Sequence, residues 1–477
     1  MSGSDRRFTR RKALTIGGAG AGLILAARYA SFGGGGGGGS SEPASRAAAG
    51  AARVVPTPTD FVRTRWAADP WSFGSYSFLP VGATPADREA LSVPVGGRLF
   101  FAGEATARQD PATVHGAVAS GRRAADQVLD VAGAGERIVV IGAGMSGLTA
   151  ASRLRSSGFD VTVLEARDRA GGRVDTVQPA GWPVPVERGA NWVQNTGASD
   201  VGERLAKLGV KTAPFDYSRV VLGTNGRRIE NSERLFIPAQ EAVEYAIDWA
   251  DGRARDRSLS RALSQSGATK KVDPRILAAY TYGEVATEYG TSNSEISAWW
   301  GFEEGSEGDD LIVLGGYGTL ATELANDLDV QTGRAVRRIA VSASSLRVDL
   351  AGFDSLTADR VVVTLPLGVL KSGRVTFDPA LPTGHRRAIS RLRMGLLDKL
   401  WLRFDEPFWR EDAEVWSTLS SSGSIRFEWY NMRPLTGEPL LMALYGGSDA
   451  RAWTDRSDSA IMRAALASLQ RYIDAGW

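Results

Sequence analysis

The sequence predicts an α/β protein. Two observations carry that expectation: a β-branched run in mid-chain that leads straight into a glycine-rich turn, and a composition that supports a large mixed core. The chain has 477 residues, 43% hydrophobic and 23% charged, enough globular core for two or three domains. Arg137 to Ile141 reads as a buried parallel strand. Gly142-Ala143-Gly144-Met145-Ser146-Gly147 follows at once, then an apolar-periodic helix over about 146–156, then a second strand, Asp160 to Leu164, ending in Glu165. Strand, GxGxxG, helix, strand and acid come in the order that a Rossmann-like dinucleotide crossover requires. Gly142 permits the tight turn, Gly144 lets backbone approach a pyrophosphate, and Gly147 lets helix pack on strand. Glu165 can accept ribose hydroxyls, and the amide end of the helix, with Ser146 in its first turn, faces negative charge.

Ahead of this unit the chain reads as an address, a linker and a folded segment. Thr9-Arg10-Arg11-Lys12 precedes a weakly apolar run from Thr15 to Ala27 and is similar to a twin-arginine export signal, with an ordinary basic tail as the plainer alternative. That run is too short for a bilayer, which needs roughly 20 apolar residues. Gly33 to Gly39 and the Ser/Pro/Ala stretch to about residue 50 read as flexible linker, so the folded protein is expected from about Arg53. Beyond the crossover, 233–290 looks largely helical and 394–446 rich in strands.

Composition narrows the chemistry. Lys and Arg total 56 against 54 Asp and Glu, and a net charge of +2 argues against nucleic acid as a partner. Cysteine is absent and the two histidines are His115 and His385, which removes disulfides, zinc sites, cysteine nucleophiles and most histidine relays. Chemistry must then be borrowed from a cofactor. Seven of the cations are lysine, and Lys399 lies in an apolar strand, Asp398 to Phe404. A desolvated lysine can give up its proton where arginine cannot. The alternative is a strand-edge lysine with its head in water.

Arg167-Asp168-Arg169-Ala170-Gly171-Gly172-Arg173 resembles the second fingerprint of FAD enzymes in the flavin amine oxidase family. Gly189-Ala190-Asn191-Trp192, Gly315-Gly316-Tyr317-Gly318, Thr364-Leu365-Pro366 and Met394-Gly395-Leu396-Leu397-Asp398-Lys399 are similar to further motifs of that family, and the resemblance covers nearly all of 52–477. It implies an FAD-binding domain of glutathione-reductase type, 95–215 plus 310–372, and an α+β substrate-binding domain from 51–94, 216–309 and 373–477. In that family, segments resembling 74–77, 101–106 and 113–121 close the chain, whereas here they precede the nucleotide fold. The order reads as a circular permutation in which a helix over about 114–131 runs through 132–135 into the first strand. A rearranged coding sequence would preserve every motif equally. Permutation predicts that 132–135 is a short surface connection and that Arg53 and Trp477 lie together.

The resemblance implies FAD-dependent oxidation of an amine C–N bond to an imine, with O2 as acceptor and hydrogen peroxide as a product. Without cysteine, the cysteinyl link of the monoamine-oxidase branch is impossible, so the FAD is expected to be non-covalent. By resemblance, Gly103 and Glu104 lie along the pyrophosphate and ribityl chain, Arg173 meets phosphate, and backbone at Val336 meets adenine. Arg167, Gly172, Gly189, Ala190, Asn191 and Trp192 belong to cofactor-binding motifs, and the helix starting at Thr113 and Val114 points at the pyrimidine end. Lys399 is placed a water away from flavin N5. Tyr76 matches one aromatic wall of the substrate cage, Thr113 the opposite position, and Gln194 a position that often carries histidine or acid. A neutral amide there weakens the case for a polycationic substrate. Trp299, Trp300, Trp401 and Trp409 are further candidates for the site, or core. An L-amino-acid oxidase remains an alternative, needing an arginine for the substrate carboxylate. So does a non-catalytic flavoprotein or an inactive rearranged product. The partners expected are a small amine and O2.

Overall fold

A computed structural model describes residues 53–477 apart from 195–198, 216, 230–231, 303–309, 343–344, 353, 411 and 420–424. The expected signal and linker, 1–50, lie outside the described residues. The elements that position the site run as β1 (Asp60–Arg63), β2 (Leu99–Phe101), α1 (Val114–Leu129), β3 (Arg137–Ile141), α2 (Met145–Ser156), β4 (Asp160–Leu164), β5 (Val186–Glu187), α3 (Gly318–Ala325), β6 (Asp329–Gln331), β7 (Arg360–Val363), β8 (Leu397–Arg403), β9 (Leu440–Gly446) and α4 (Asp458–Asp474).

Strands β6-β4-β3-β7-β2 form a five-stranded, wholly parallel sheet. A parallel sheet is covered on both faces, which is why β3 reads as an unbroken apolar run. Ile138 and Val140 pack with Ala124 and Val128 of α1 and Leu148 and Ala151 of α2. Val139 and Ile141 face the opposite way, onto Leu346 and Val348. Gly121 lets α1 lie against the first turn of α2, since a Cβ there would stand 2.3 Å from the Ser146 carbonyl oxygen. The turn at 131–136 between α1 and β3 is largely exposed, and Arg360 of β7 holds it by donating to Val131 O at 2.6 Å and Glu136 Oε1 at 2.9 Å.

The second large sheet has seven strands, β1-β8-β9 and then 428–431, 415–418, 219–222 and 228–229, all antiparallel except the 219–222/415–418 pair. Side chains alternate along β8. Leu400 and Leu402 face Ile461, Ala465 and Leu469 of α4, whereas Trp401 packs with Tyr430, Met442 and Leu444 on the other face. Lys399 shares the Trp401 face. It is not on an edge: β9 pairs it to Leu444, and on the other side its amide donates to Thr64 Oγ1 at 2.8 Å while its carbonyl accepts from Thr64 N at 3.0 Å. Helices Ile237–Asp251, Leu259–Ser266 and Pro274–Thr281 fill the stretch read as helical. Arg53 and Trp477 are in contact. Arg53 Nη1 donates to Trp477 O at 3.0 Å, and Gln470 of α4 donates to Arg53 O at 2.8 Å.

Candidate active site

A cavity of about 680 Å³ opens at the carboxyl ends of the parallel strands, bordered there by Ile141, Leu164 and Thr364. Open α/β sheets bind ligands at that edge. Every cofactor, cage and lysine residue singled out above borders this cavity, save Gly147. Gly147 instead packs α2 onto the strand: a Cβ there would lie 1.9 Å from Gly142 O.

The nucleotide half is a cradle of bare backbone. At Gly144 and at Gly103, the latter with φ +123°, an added Cβ would meet nothing within 4 Å, so the backbone at both positions stands open to the cavity. Glu165 is buried, and its carboxylate is aimed by Ala143 N at 2.7 Å on Oε2 and Arg167 N at 2.8 Å on Oε1. Arg167 forms a bidentate pair with Asp69, both contacts 2.8 Å. Arg173 donates to Glu104 Oε1 and to Ser75 O, each at 2.9 Å, which fixes its guanidinium at the cavity wall. Burial pushes the Glu104 carboxyl up, but the charges of Arg173 and Arg88 and the Ser77 hydroxyl outweigh it, and the net direction is down. The open backbone, the helix N-terminus and the oriented acid fit an extended dinucleotide.

The far wall of the cradle is the start of α1. Thr113 caps it, its Oγ1 accepting from Gly116 N at 2.9 Å and donating to Asp110 O at 2.7 Å. Gly116 is required here, because a Cβ would lie 2.0 Å from Asp110 O. This turn brings Asp110 Oδ2 to 3.6 Å from His115 Nε2, and both residues border the cavity.

Lys399 enters from β8 and is 4% exposed. Its Nζ donates to Gly189 O at 2.6 Å, Asn191 Oδ1 at 2.9 Å and Glu187 O at 3.3 Å, and lies 5.6 Å from the Trp192 ring. The Gly189-Ala190-Asn191-Trp192 motif thus wraps an amine as well as lining the cradle. Burial pushes the Lys399 ammonium down and the Glu187 carboxyl up, and each opposes the other's shift by its charge. Hydrogen bonding favours the charged forms. Three oxygens face Nζ, and the Glu187 carboxylate receives Tyr317 N and Thr176 Oγ1, both at 2.7 Å. That set fits an ammonium and a carboxylate, since a neutral amine would turn its lone pair on an oxygen.

The same cavity carries an aromatic lining, here called the chamber, that sequence reasoning largely missed. Tyr76 borders it, held by a hydrogen bond from its hydroxyl to Glu288 O at 2.8 Å. Trp192, Phe215 and Tyr217 follow in edge-to-face contacts of 6.0 and 4.6 Å. The Tyr217 hydroxyl donates to Asp310 Oδ2 at 2.9 Å, and Asp310, Asp110 and Glu288 all border the cavity. Gln194 borders it too. Trp401 and Trp409 are core, and none of the four tryptophans named from the sequence lines the cavity.

Fold and cavity together define a protein in which a backbone cradle suited to an extended dinucleotide shares one cavity with aromatic side chains and a buried lysine. A family model described as flavin containing amine oxidoreductase matches residues 45–129 and 145–476, and the chain belongs to that family. Polyamine oxidase 2 of Arabidopsis thaliana is 29% identical over 359 residues, covering 70% of this chain and 72% of that protein. Lysine-specific histone demethylase 1 homolog 2 of the same plant is 29% identical over 352 residues, 70% of this chain and 47% of the other. A putrescine oxidase solved with putrescine bound shares the fold, with a TM-score of 0.58 and 23% identity over 72% of this chain and 83% of that one. The protein is therefore a flavin-dependent amine oxidase with an FAD-binding and a substrate-binding compartment.

Proposed function

We propose that this enzyme oxidises the C–N bond of a small cationic amine to the imine, using O2 as electron acceptor and FAD held without a covalent link. The observation that carries the reading is that one cavity joins the GxGxxG cradle, Lys399 and an aromatic chamber lined by acids. Bound FAD would supply the ring that accepts the hydride equivalent and passes electrons to oxygen. The chain's own residues do the rest. Gly144, Gly103, Glu165 and the α2 amides would hold the dinucleotide, and the positive end of α1 at Thr113 and Val114 would stabilise negative charge on the pyrimidine side. Lys399 would hold a proton near the reacting face, and Tyr76 with Trp192 would orient the amine while excluding bulk water.

Cavity charge supports an amine with a cationic remainder over an amino acid. A substrate carboxylate calls for an uncommitted arginine fork. The lining arginines are engaged: Arg167 with Asp69, Arg173 with Glu104, Arg188 with Asp175 and Arg334 with Asp354, all at 2.8–2.9 Å, while Arg374 lies 5.1 Å over the Phe73 ring. Asp310, whose carboxylate meets the Tyr217 hydroxyl, offsets the neutral Gln194. Aerobic peroxide release against a panel of monoamines, diamines and L-amino acids tests this. Peroxide from amino acids alone would favour the amino-acid oxidase, and flavin without peroxide from any of them a non-catalytic flavoprotein.

We also infer that the chain order is a circular permutation with the two-domain division given by the sequence. In support, β2 and β3 flank β7 in one parallel sheet, α1 packs on α2, the 131–136 turn is exposed, and Arg53 touches Trp477. Export by the twin-arginine route rests on Thr9-Arg10-Arg11-Lys12 and the weakly apolar run that follows it. Among the described residues no helix is long and apolar enough to cross a membrane.

A further inference from the structure

The Lys399 pocket holds a charge that the reaction as described does not use. Glu187 is 2% exposed, and an acid buried that deeply is costly unless its charge is compensated. The compensation comes from two directions. Tyr317 N, at the start of α3, donates to Oε1 and Thr176 Oγ1 donates to Oε2, while Gly318 N in turn donates to Thr176 Oγ1 at 2.8 Å. The carboxylate thus caps the positive end of α3 directly and through Thr176. Lys399 is the cation whose field favours the Glu187 carboxylate, and Glu187 the anion whose field favours the Lys399 ammonium. The two side chains do not need to touch: the Glu187 carbonyl accepts from Nζ and, at 3.1 Å, from Trp401 Nε1.

We propose that Glu187 is a positioning residue that keeps Lys399 protonated and aimed into the cavity, its carboxylate supplying the counter-charge and its carbonyl one of the oxygens around Nζ. Helix α3 holds Glu187 ionised, and Glu187 holds Lys399 ionised. The other charges nearby are committed elsewhere. Asp175, which faces Glu187, is paired with Arg169 at 3.0 Å and Arg188 at 2.9 Å. The Tyr317 hydroxyl is pushed up by burial and by Glu187, so it stays neutral. Asp398, the next residue along β8, projects to the opposite face, with Arg63, Arg65 and Tyr445 around it. The proposal rests on the reading that Lys399 serves the reacting face, and the experiment separates the two.

The protein has only seven lysines, so [13Cε]lysine labelling of the FAD-loaded enzyme gives a sparse spectrum in which Lys399 is identified by its loss in Lys399→Met. Its resonance is titrated against pH in wild type, Glu187→Gln and Glu187→Asp. Glutamine keeps the size and an oxygen for Tyr317 N but removes the charge, so the Lys399 midpoint should fall by about one pH unit or more, a tenfold stronger acid. Aspartate keeps the charge and should stay closer to wild type. An unmoved midpoint in folded Glu187→Gln overturns the proposal, because a purely structural glutamate would not shift it. Should the glutamine variant not fold, Thr176→Val strips one donor from the carboxylate, weakens it as an anion, and should move the midpoint the same way; no movement there overturns the proposal equally. The pH profiles of flavin reduction and reoxidation are then compared. A matching shift in either supports both ideas. A shifted midpoint with both profiles unmoved supports the Glu187–Lys399 coupling and refutes the role of Lys399 in the reaction.

Discussion

Gly144 and Gly147 lie three residues apart in one motif, and the structure separates their roles sharply enough to be measured. Gly144 has φ −75° and ψ 175°, which any L-residue adopts, and its Cβ would meet nothing within 4 Å. Gly144→Val should therefore leave the apoprotein within about 1 kcal/mol of wild type, helped by the roughly 0.4–1 kcal/mol that removing a glycine takes from the unfolded chain's entropy. The new side chain stands where the pyrophosphate would approach backbone. Overpacking of that kind costs about 1–3 kcal/mol or more, an affinity loss of roughly 5- to 150-fold at the least. Gly147→Val is the opposite case. Its Cβ would be 1.9 Å from Gly142 O and 3.0 Å from Thr364 Oγ1. The first is a deep overlap with the backbone of the very turn that starts the helix, so the loss falls on folding, at or above the upper end of that 1–3 kcal/mol range. The assay pairs flavin absorbance per protein after desalting with thermal melts at several FAD concentrations. Wild type should gain stability with FAD as mass action requires, about 2.7 kcal/mol at a hundred times Kd. Gly144→Val should melt like the apoprotein and lose most of that gain; Gly147→Val should melt early with or without FAD. A full flavin complement in Gly144→Val, or wild-type stability in Gly147→Val, would refute the reasoning.

Four further outcomes follow from the same structure. Lys399→Met should slow turnover roughly 10²- to 10⁴-fold, read separately in flavin reduction and reoxidation. It should also lose about 3–5 kcal/mol of stability, since it orphans three oxygen acceptors and leaves Glu187 buried without its counter-charge. Burial raises the Asp398 carboxyl to about 6 despite hydrogen bonds from Trp66 N and Thr64 Oγ1, so its contribution to stability is present at pH below about 4 and is lost as pH rises through about 6. Asp398→Asn should flatten denaturation midpoints across that window and stabilise the protein at pH 8 by up to ~3 kcal/mol, and an unchanged pH slope would contradict this. Acid precipitation should release all the flavin into the supernatant; flavin left in the pellet would point to a covalent link, with His115 the residue to inspect. A reordered chain that runs from Glu136 to Trp477, through a short linker to Arg53 and on to Gly135, should bind FAD and turn over as the parent does; a reordered chain that folds but binds no flavin would count against the permutation.

The nucleotide fold was legible because its signals are local. Turn, helix phase and terminal acid all fall within the thirty residues or so of one crossover, and β3 betrays burial on both faces by having no polar residue after Arg137. The chamber was not legible, because its residues arrive from separate segments: Asp310 matters through the Tyr217 hydroxyl, 93 positions away. Glu187 did carry a signal. An acid in the apolar approach to Gly189 was there to be weighed, but only the loop that folds over Nζ shows what it faces. For Lys399 the sequence argument had the burial right, and the oxygens of the Gly189-Ala190-Asn191-Trp192 loop around Nζ are what it could not show.

The central claim is that an amine in the acidic chamber reduces flavin held in the adjoining cradle. Anaerobic stopped-flow mixing of purified enzyme with a diamine tests it most directly, with absorbance near 450 nm followed before and after O2 is admitted. The structure predicts that the flavin band bleaches in proportion to bound FAD, returns with O2, and yields one hydrogen peroxide per cycle. A fully loaded enzyme whose flavin no amine reduces would contradict it.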